Sequence, residues 1–483
     1  MNVSRPVVLA AVNARYCHCS LAARYLAAGL EAHRIPFRLL EFTIHQSAEE
    51  IVRSIVDADP GAICLGVYVW NIALVGKVVR RLKETRAAAP IFLGGPEVSF
   101  ETESQDICRI ADATILGEGE LLLPRLCQQS GGRHRRRGAL KGPLPDLHTL
   151  PLPYDLYSEE DLLQRNVYVE TTRGCPYRCA YCLSAASPVV RRFPLDRVLP
   201  AISRLLERGA RRVKFVDRTF NSDLDRAYRI LEFLLPRVKP PAQIHLEMAP
   251  DRFPRELLEL AARFPPGTLR LEIGIQSWNE AALRAVNRAV HMEKMEENLR
   301  AILDGTGAEV HADLLAGLPG EDLASFADGF DRLFRIGPHE IQIGILKRLR
   351  GAPLTRKTCA WRMEFNPDPP YELRRSAWLS PRELEMLGHF SRVWDRVHNR
   401  GHFAFCMELF RKYSRNPFSD FHMLTLRVLR RFGRSHSLGL DHLAQELSAW
   451  LPKTTRVSVQ EVRSALRRDY SRRRHPIPRW LRD

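Results

Sequence analysis

Cys175, Cys179 and Cys182 are the residues best placed by type and spacing to do chemistry, in the run Gly174-Cys175-Pro176-Tyr177-Arg178-Cys179-Ala180-Tyr181-Cys182. Four-iron clusters are held by cysteine thiolates, and a CxxxCxxC loop can reach three corners of an iron-sulfur cube while leaving the fourth iron open. A structural zinc ion would want a fourth ligand in a tetrahedron, commonly from a second CxxC or a His-x-His pair, and no matching pair is visible. An electron-carrying cluster would want four cysteines, and Cys17, Cys19, Cys64, Cys108, Cys127, Cys359 and Cys406 show no matching signature. The pattern therefore points to a cluster with one exchangeable metal corner.

The elements around this loop must hold it. It follows the strand-like NVYVETT, and Pro176 keeps its first part from being a simple helix. Strand-helix alternation then runs through RRVKFVD, QIHLEM, LRLEIGIQS, EVHADLLAGLP and EIQIGIL, which predicts a partial (β/α)6 barrel over 161–355. Chemistry in such barrels lies on loops at the carboxyl ends of strands, where the cysteine loop falls. Residues 1–130 alternate in the same way through RPVVLAAV, FRLLEF, AICLGVYVW, PIFLGG and ATILGEGE, predicting an open, doubly wound, Rossmann-like domain. Residues 131–160, rich in glycine, arginine and proline at their start, read as a linker. After 356 the alternation stops, and Ser380-Pro381-Arg382-Glu383 is a capping box that opens a mainly helical C-terminal domain, 356–483. The fold class expected is α/β, with this helical region appended.

At the cysteine loop the chain resembles the radical S-adenosylmethionine superfamily, whose CxxxCxxC has an aromatic residue before the last cysteine, here Tyr181. The resemblance implies a [4Fe-4S] cluster on Cys175, Cys179 and Cys182 that chelates S-adenosylmethionine and cleaves it reductively to a 5'-deoxyadenosyl radical. A one-electron reductant of flavodoxin or ferredoxin type is then implied. KFVDRTFN resembles the segment that meets the methionine amino group, which would place Asp217 and Asn221 there, although the family's more usual Gly-Gly-Glu is missing. An unpaired Glu272 within an apolar strand would be costly to bury, so it should face a partner. The resemblance of EIGIQS to a family segment would place Glu272, Gln276 and Ser277 near the ribose and substrate cavity, and that of HADLLAGLPGED would place Asp313 and Gly317 near the adenine.

The domain order is similar to the cobalamin-binding branch of that superfamily, with echoes in NARYCHCSLAARYLAAGL, YVWN, LGGPEVS, GEGE and PPYEL. The cobalt-ligating Asp-x-His-x-x-Gly is absent: Gly66 stands where serine is expected, and Gly94-Gly95 alone remains of the series. Gly66, Gly94 and Gly95 are the cobalamin-binding candidates. With cobalamin the implied reaction is methyl transfer to an unknown substrate; without it, hydrogen abstraction followed by rearrangement or oxidation.

Composition sets the outer limits. The 483 residues are 45% hydrophobic and 27% charged, ordinary for a folded protein, with a formal charge of +17. Residues 401–483 hold 17 Lys+Arg against 7 Asp+Glu, so +10 of that charge is C-terminal. The longest apolar run, Ala62 to Gly76, falls short of a membrane span. No secretory pattern opens the sequence, so a cytoplasmic protein is expected, with its ten cysteines reduced. Two other functions remain open. One is a methylthiotransferase-like enzyme acting on RNA, with a second cluster on cysteines such as Cys17, Cys64 and Cys108. The other is a non-catalytic nucleic-acid-binding protein using arginines 472–474 with Tyr470 and Trp480.

Overall fold

The computed structural model describes residues 5–85, 89–129 and 138–482. Strands β1 (Val7–Asn13), β2 (Phe37–Thr43), β3 (Ala62–Gly66), β4 (Ile91–Gly94), β5 (Ala113–Leu116) and β6 (Gly138–Lys141) form one parallel sheet in the order β2-β1-β3-β4-β5-β6. Every residue of β1 is buried, because helices cover both faces of the sheet, and that is why its sequence is a continuous apolar run. The segment expected to be a linker contributes β6, paired with β5 from Ala113↔Gly138 to Leu116↔Lys141. Its arginine cluster at 133–137 lies outside the described residues.

The second sheet is built differently. Strands β7 (Val167–Val169), β10 (Arg212–Phe215), β11 (Gln243–Met248), β12 (Leu269–Gln276), β13 (Glu309–Ala316) and β14 (Glu340–Ile345) are parallel and ordered β14-β13-β12-β11-β10-β7. Between β7 and β10, the short antiparallel strands β8 (Thr172–Arg173) and β9 (Arg191–Arg192) form the stem of the cysteine loop. In β12, Leu269, Leu271, Ile273 and Ile275 are buried, whereas Arg270, Glu272, Gly274 and Gln276 are only partly so. The period of two arises because one face packs on helices and the other lines a polar lumen. Burying each of those apolar side chains contributes about 1.5–3 kcal/mol, and Leu271→Ala would lose that and leave a cavity.

The C-terminal region is helical after a hairpin of β15 (Glu364–Phe365) and β16 (Leu373–Arg375). Ser380 caps the helix Pro381–Trp394 as its sequence signals: its amide donates to Glu383 at 2.8 Å, and its hydroxyl accepts the Glu383 amide at 3.4 Å. Phe390 and Trp394 pack edge-on against Phe330 of the barrel helix Leu323–Ile336, at ring centroid distances of 5.2 and 4.8 Å. Barrel and C-terminal helices therefore share one core. The N-terminal domain is tied on by a buried ionic cluster, in which Arg24 bonds Glu41 at 3.0 Å and Asp161 at 2.7 Å while Arg165 bonds the same two carboxylates at 2.7 Å. Among the described residues no helix is long and apolar enough to cross a membrane.

Candidate active site

The cysteine loop leaves β8 through Gly174, whose φ of +100° and contact with the Val189 carbonyl leave no room for a Cβ. Hydrogen bonds inside and outside the loop fix its course: the Cys182 amide donates to the Cys179 carbonyl at 3.0 Å, and the Ala180 amide donates to the Val286 carbonyl at 2.7 Å. Cys175, Tyr177, Cys179, Tyr181 and Cys182 thereby form one wall of a cavity of about 180 Å³ at the barrel mouth. The opposite walls carry Glu247, Glu272, Gly274, Gln276, Arg288 and Asp313.

The three sulfurs are not all within 4.8 Å of one another. Burial raises the Cys175 thiol, and the nearby Cys182 and Cys179 act in the same direction. Arg288 donates to the Cys179 sulfur at 3.7 Å, and the Nε of this guanidinium is buried without a partner. A cationic donor beside the cysteine thiols suits an anionic group entering the cavity.

The carboxylates differ in state. Burial alone would raise Glu272, but the hydrogen bond from His245 at 2.8 Å and the Lys214 ammonium at 2.9 Å outweigh it and bring it to about 2. Glu272 thus has the partners that its place in an apolar strand called for. Asp313 is pushed well above the usual carboxylate range by burial, then by the charges of Glu272 and Glu247. Glu247 is raised by burial and by Glu272, and its nearest cation, the Lys214 ammonium, is 3.7 Å away.

The expected ligand contacts divide into two groups. Tyr181, Glu272, Gln276 and Asp313 reach the cavity. Gln276 does so with φ of +70°, where the β12–β13 register shifts between Gly274 and Gln276. Asp217, Asn221, Ser277 and Gly317 lie outside its lining. Asp217 is buried beneath the loop stem, accepting the Thr171 amide at 2.9 Å and the Thr171 and Thr172 hydroxyls at 2.6 and 2.7 Å. Asn221 bonds the Ala249 amide and the Ala249 and Arg252 carbonyls at 2.7, 2.9 and 2.6 Å, shaping the loop after β11. Ser277 donates to Glu321 and accepts the Asn279 amide. Gly317 faces Leu373 of β16, whose Cδ2 would sit 2.5 Å from an added Cβ.

Glu247 and Arg288 were not among the candidates. Glu247 had a signal: in QIHLEM the period of two places it on the same face as His245, near the carboxyl end of a strand. Arg288 had none, since it sits in the turn between the helices Glu280–Ala285 and Met292–Gly305 and reaches the cavity only through the fold.

With this geometry in view, residues 169–333 match the radical SAM superfamily, 7–127 the B12 binding domain, and 359–483 a protein family of unknown function, DUF4080. Residues 169–333 are thus a radical SAM superfamily domain. Among curated relatives, the chain is 28% identical over 347 residues to the cobalamin-dependent radical SAM methyltransferase TokK of Streptomyces tokunonensis, covering 63% of this chain and 49% of TokK. It is 28% identical over 315 residues to 2-(S-pantetheinyl)-carbapenam-3-carboxylate methyltransferase of Streptantibioticus cattleyicolor, covering 58% and 46%. It spans about half the length of these two relatives. The solved structure of TsrM from Kitasatospora setae, with cobalamin and a [4Fe-4S] cluster bound, shares the fold at a TM-score of 0.63 and 17% identity, covering 88% of this chain and 99% of TsrM. OxsB, with aqua-cobalamin and S-adenosylmethionine bound, shares it at 0.61 and 14%, covering 97% and 84%.

The B12-type domain turns the carboxyl edge of its sheet toward the barrel. Gly95 has φ of +108°, and a Cβ there would meet the Val67 carbonyl at 2.5 Å, so the turn after β4 requires glycine. Gly94 would meet only the Ile115 carbonyl, at 3.9 Å, which leaves a recess. Beside Gly66, the Tyr68 and Trp70 rings stack at 4.4 Å, and Trp70 is half exposed. This ledge suits a flat, largely apolar ring. His18, from the loop after β1, bonds the Tyr168 hydroxyl of the barrel through Nδ1 at 2.6 Å.

A second cluster on N-terminal cysteines does not fit. Cys64 packs in the core on one side of the first sheet and Cys108 in the core on the other, so the sheet separates them. The basic tail is partly committed as well: Arg463, Arg467 and Arg482 donate to the Trp480, Leu481 and Ile477 carbonyls at 2.9, 2.8 and 3.1 Å, and Arg472 and Arg473 donate to those of Gly401 and Arg400.

Proposed function

We propose that this chain is a cobalamin-dependent radical SAM methyltransferase. The observation that carries the proposal is the cavity itself: three cysteine thiols of one loop share it with the guanidiniums of Arg218 and Arg288 and with four carboxyl groups, those of Glu247, Asp251, Glu272 and Asp313. Cys175, Cys179 and Cys182 would hold the cluster, and the ledge of Gly66, Tyr68, Trp70, Gly94 and Gly95 would hold cobalamin. When bound, the cluster supplies an electron that breaks a carbon-sulfur bond of S-adenosylmethionine, and cobalamin supplies a carrier for the methyl group.

The protein's own part is positioning. Arg288 is placed to take the methionine carboxylate and Glu247 the ammonium, so a zwitterion is gripped at both ends beside the thiols. Asp313, whose carboxyl group burial and the neighbouring Glu272 and Glu247 push upward, faces the cavity where a ribose hydroxyl would hydrogen-bond to it. Glu272, locked as an anion by Lys214 and His245, gives that wall a fixed charge with no proton to lose near neutral pH. Tyr181 and Met248 line the cavity and keep water from the reacting carbon. A one-electron reductant of flavodoxin or ferredoxin type and a cytoplasmic setting complete the proposal.

The test is anaerobic reconstitution with iron and sulfide, then reduction with S-adenosylmethionine. The proposal expects about four irons per chain, release of 5'-deoxyadenosine or S-adenosylhomocysteine, and a cobalamin spectrum on the same sample. A reconstituted protein that leaves S-adenosylmethionine intact would sink the enzyme reading; cleavage without any cobalamin uptake would leave hydrogen abstraction with rearrangement or oxidation.

A further inference from the structure

The stem of the cysteine loop is too small to hold itself. Its ladder has the pairs Thr172↔Arg192 and Arg173↔Arg191, flanked by bonds from the Phe193 amide to the Thr171 carbonyl at 2.9 Å and from the Cys175 amide to the Ser187 carbonyl at 3.2 Å, and an isolated two-stranded ribbon is marginal in water. The barrel braces both arms of it: Asp217 accepts from Thr171 and Thr172, Arg226 donates to the Thr171 and Phe193 carbonyls at 2.9 and 2.7 Å, and Asp223 pairs with Arg192 at 3.1 Å. The other support comes from the N-terminal domain, through the Gly117-Glu118-Gly119-Glu120 turn after β5.

Arg173, the residue before Gly174, pairs with Glu118, with Glu120 at 2.7 Å and with Glu170 at 2.7 Å. Its guanidinium also lies 4.7 Å from the centre of the Tyr25 ring. Arg191, directly opposite on β9, pairs with the same Glu118 and donates to the Pro145 carbonyl at 3.0 Å. One carboxylate of the N-terminal domain thus joins both strands of the stem that carries all three thiols. The glycines of the turn make this reach possible. Gly117 has φ of +76°, and a Cβ on Gly119 would press on Leu26 at 3.2 Å, so the turn lies close to the helix Leu21–Ala32 and directs Glu118 and Glu120 at Arg173. The arginine side chain is 13% exposed and Glu118 24%, so these pairs are screened less than surface ones.

We propose that Glu118 is a positioning residue for the cluster loop, clamping Arg173 and Arg191 together so that the N-terminal domain sets the placement of Cys175, Cys179 and Cys182. This rests on the cluster reading of the same loop. The clamp makes the two domains a single unit at the point where methyl carrier and cluster would have to face one another.

The test compares Glu118→Gln with Glu101→Gln. Glu101 bridges the same two domains through Arg348 at 2.8 Å and through Arg350, but touches no part of the loop stem. In the iron-free protein, Glu118→Gln should speed amide exchange across 172–192 while Glu101→Gln leaves that segment at the wild-type rate. In reconstituted protein, Glu118→Gln should raise the rate of iron loss to a chelator by about tenfold and shift the electron paramagnetic resonance signal of the reduced cluster. Wild-type exchange, iron retention and spectrum in Glu118→Gln would overturn the proposal, as would equal changes in Glu101→Gln. If the wild-type protein takes up no cluster, the cluster reading fails, and the exchange measurement still decides the clamp.

Discussion

The Thr171 hydroxyl donates to Asp217 at 2.6 Å, and this bond, with those from the Thr171 amide and the Thr172 hydroxyl, makes the aspartate a brace of the cluster loop. Asp217→Asn puts an amide N–H against donors, so at least one of the three contacts is lost. A buried polar group left unsatisfied costs about 1–3 kcal/mol. The expected outcome is a lower denaturation midpoint and weaker iron retention, with unchanged S-adenosylmethionine affinity in the fraction that keeps its cluster. A selective loss of that affinity at unchanged stability would return Asp217 to the role of ligand contact.

Glu272 should give the protein an acid-sensitive share of its stability. Its folded value of about 2 lies below the ordinary 4.5, so the carboxylate stabilises the fold fully above pH about 4.5, and the contribution fades as pH falls toward 2. Glu272→Gln lacks this share. The unfolding free energies of wild type and Glu272→Gln, measured by denaturant titration, should differ most above pH 5 and converge below it. A gap that stays constant down to the acid limit would contradict the Lys214–Glu272–His245 assignment.

Gly317→Ala should loosen the joint between barrel and C-terminal region. Its φ of +101° is unfavourable for any side chain, and the new methyl would meet Leu373 at 2.5 Å. Backbone strain of this kind costs about 1–3 kcal/mol, with the clash in addition. Leu373→Ala alone removes a buried side chain and costs about 2–5 kcal/mol, but beside Gly317→Ala it also relieves the clash, so the double variant should lose less stability than the two single variants added together. Strictly additive losses would mean that Leu373 is not what the glycine accommodates.

Much of this arrangement was legible in the chain because it is written locally. The parallel strands of the first sheet are continuous apolar runs, the Ser380–Glu383 cap lies within four residues, and the three cysteines within eight. What stayed hidden is what only the tertiary fold brings together. Asp217 lies on the right segment, but its role depends on Thr171 and Thr172, some 45 residues earlier. Edge strand β6 is short and half polar, with no pattern that separates it from a linker. Glu118 and Arg191 are 73 positions apart, and no periodicity links them.

Arg288 offers the sharpest test of how the cavity takes its ligand. Its guanidinium donates to the Cys179 sulfur at 3.7 Å and to the Gly274 carbonyl, and its Nε is buried without a partner. A planar fork fixed at both ends is preorganised for a carboxylate, and lysine cannot reproduce it. A hydrogen bond to a charged group contributes about 1.5–3 kcal/mol, or about tenfold to hundredfold in affinity. Arg288→Ala should therefore raise the dissociation constant for S-adenosylmethionine by that factor, measured on reconstituted protein of matched iron content, and Arg288→Lys should recover only part. S-adenosylhomocysteine, which has the same amino acid end, should weaken in parallel, whereas 5'-deoxyadenosine, which has no carboxylate, should bind wild type and variant alike. Equal weakening of all three ligands would mean that the arginine shapes the cavity without meeting the carboxylate.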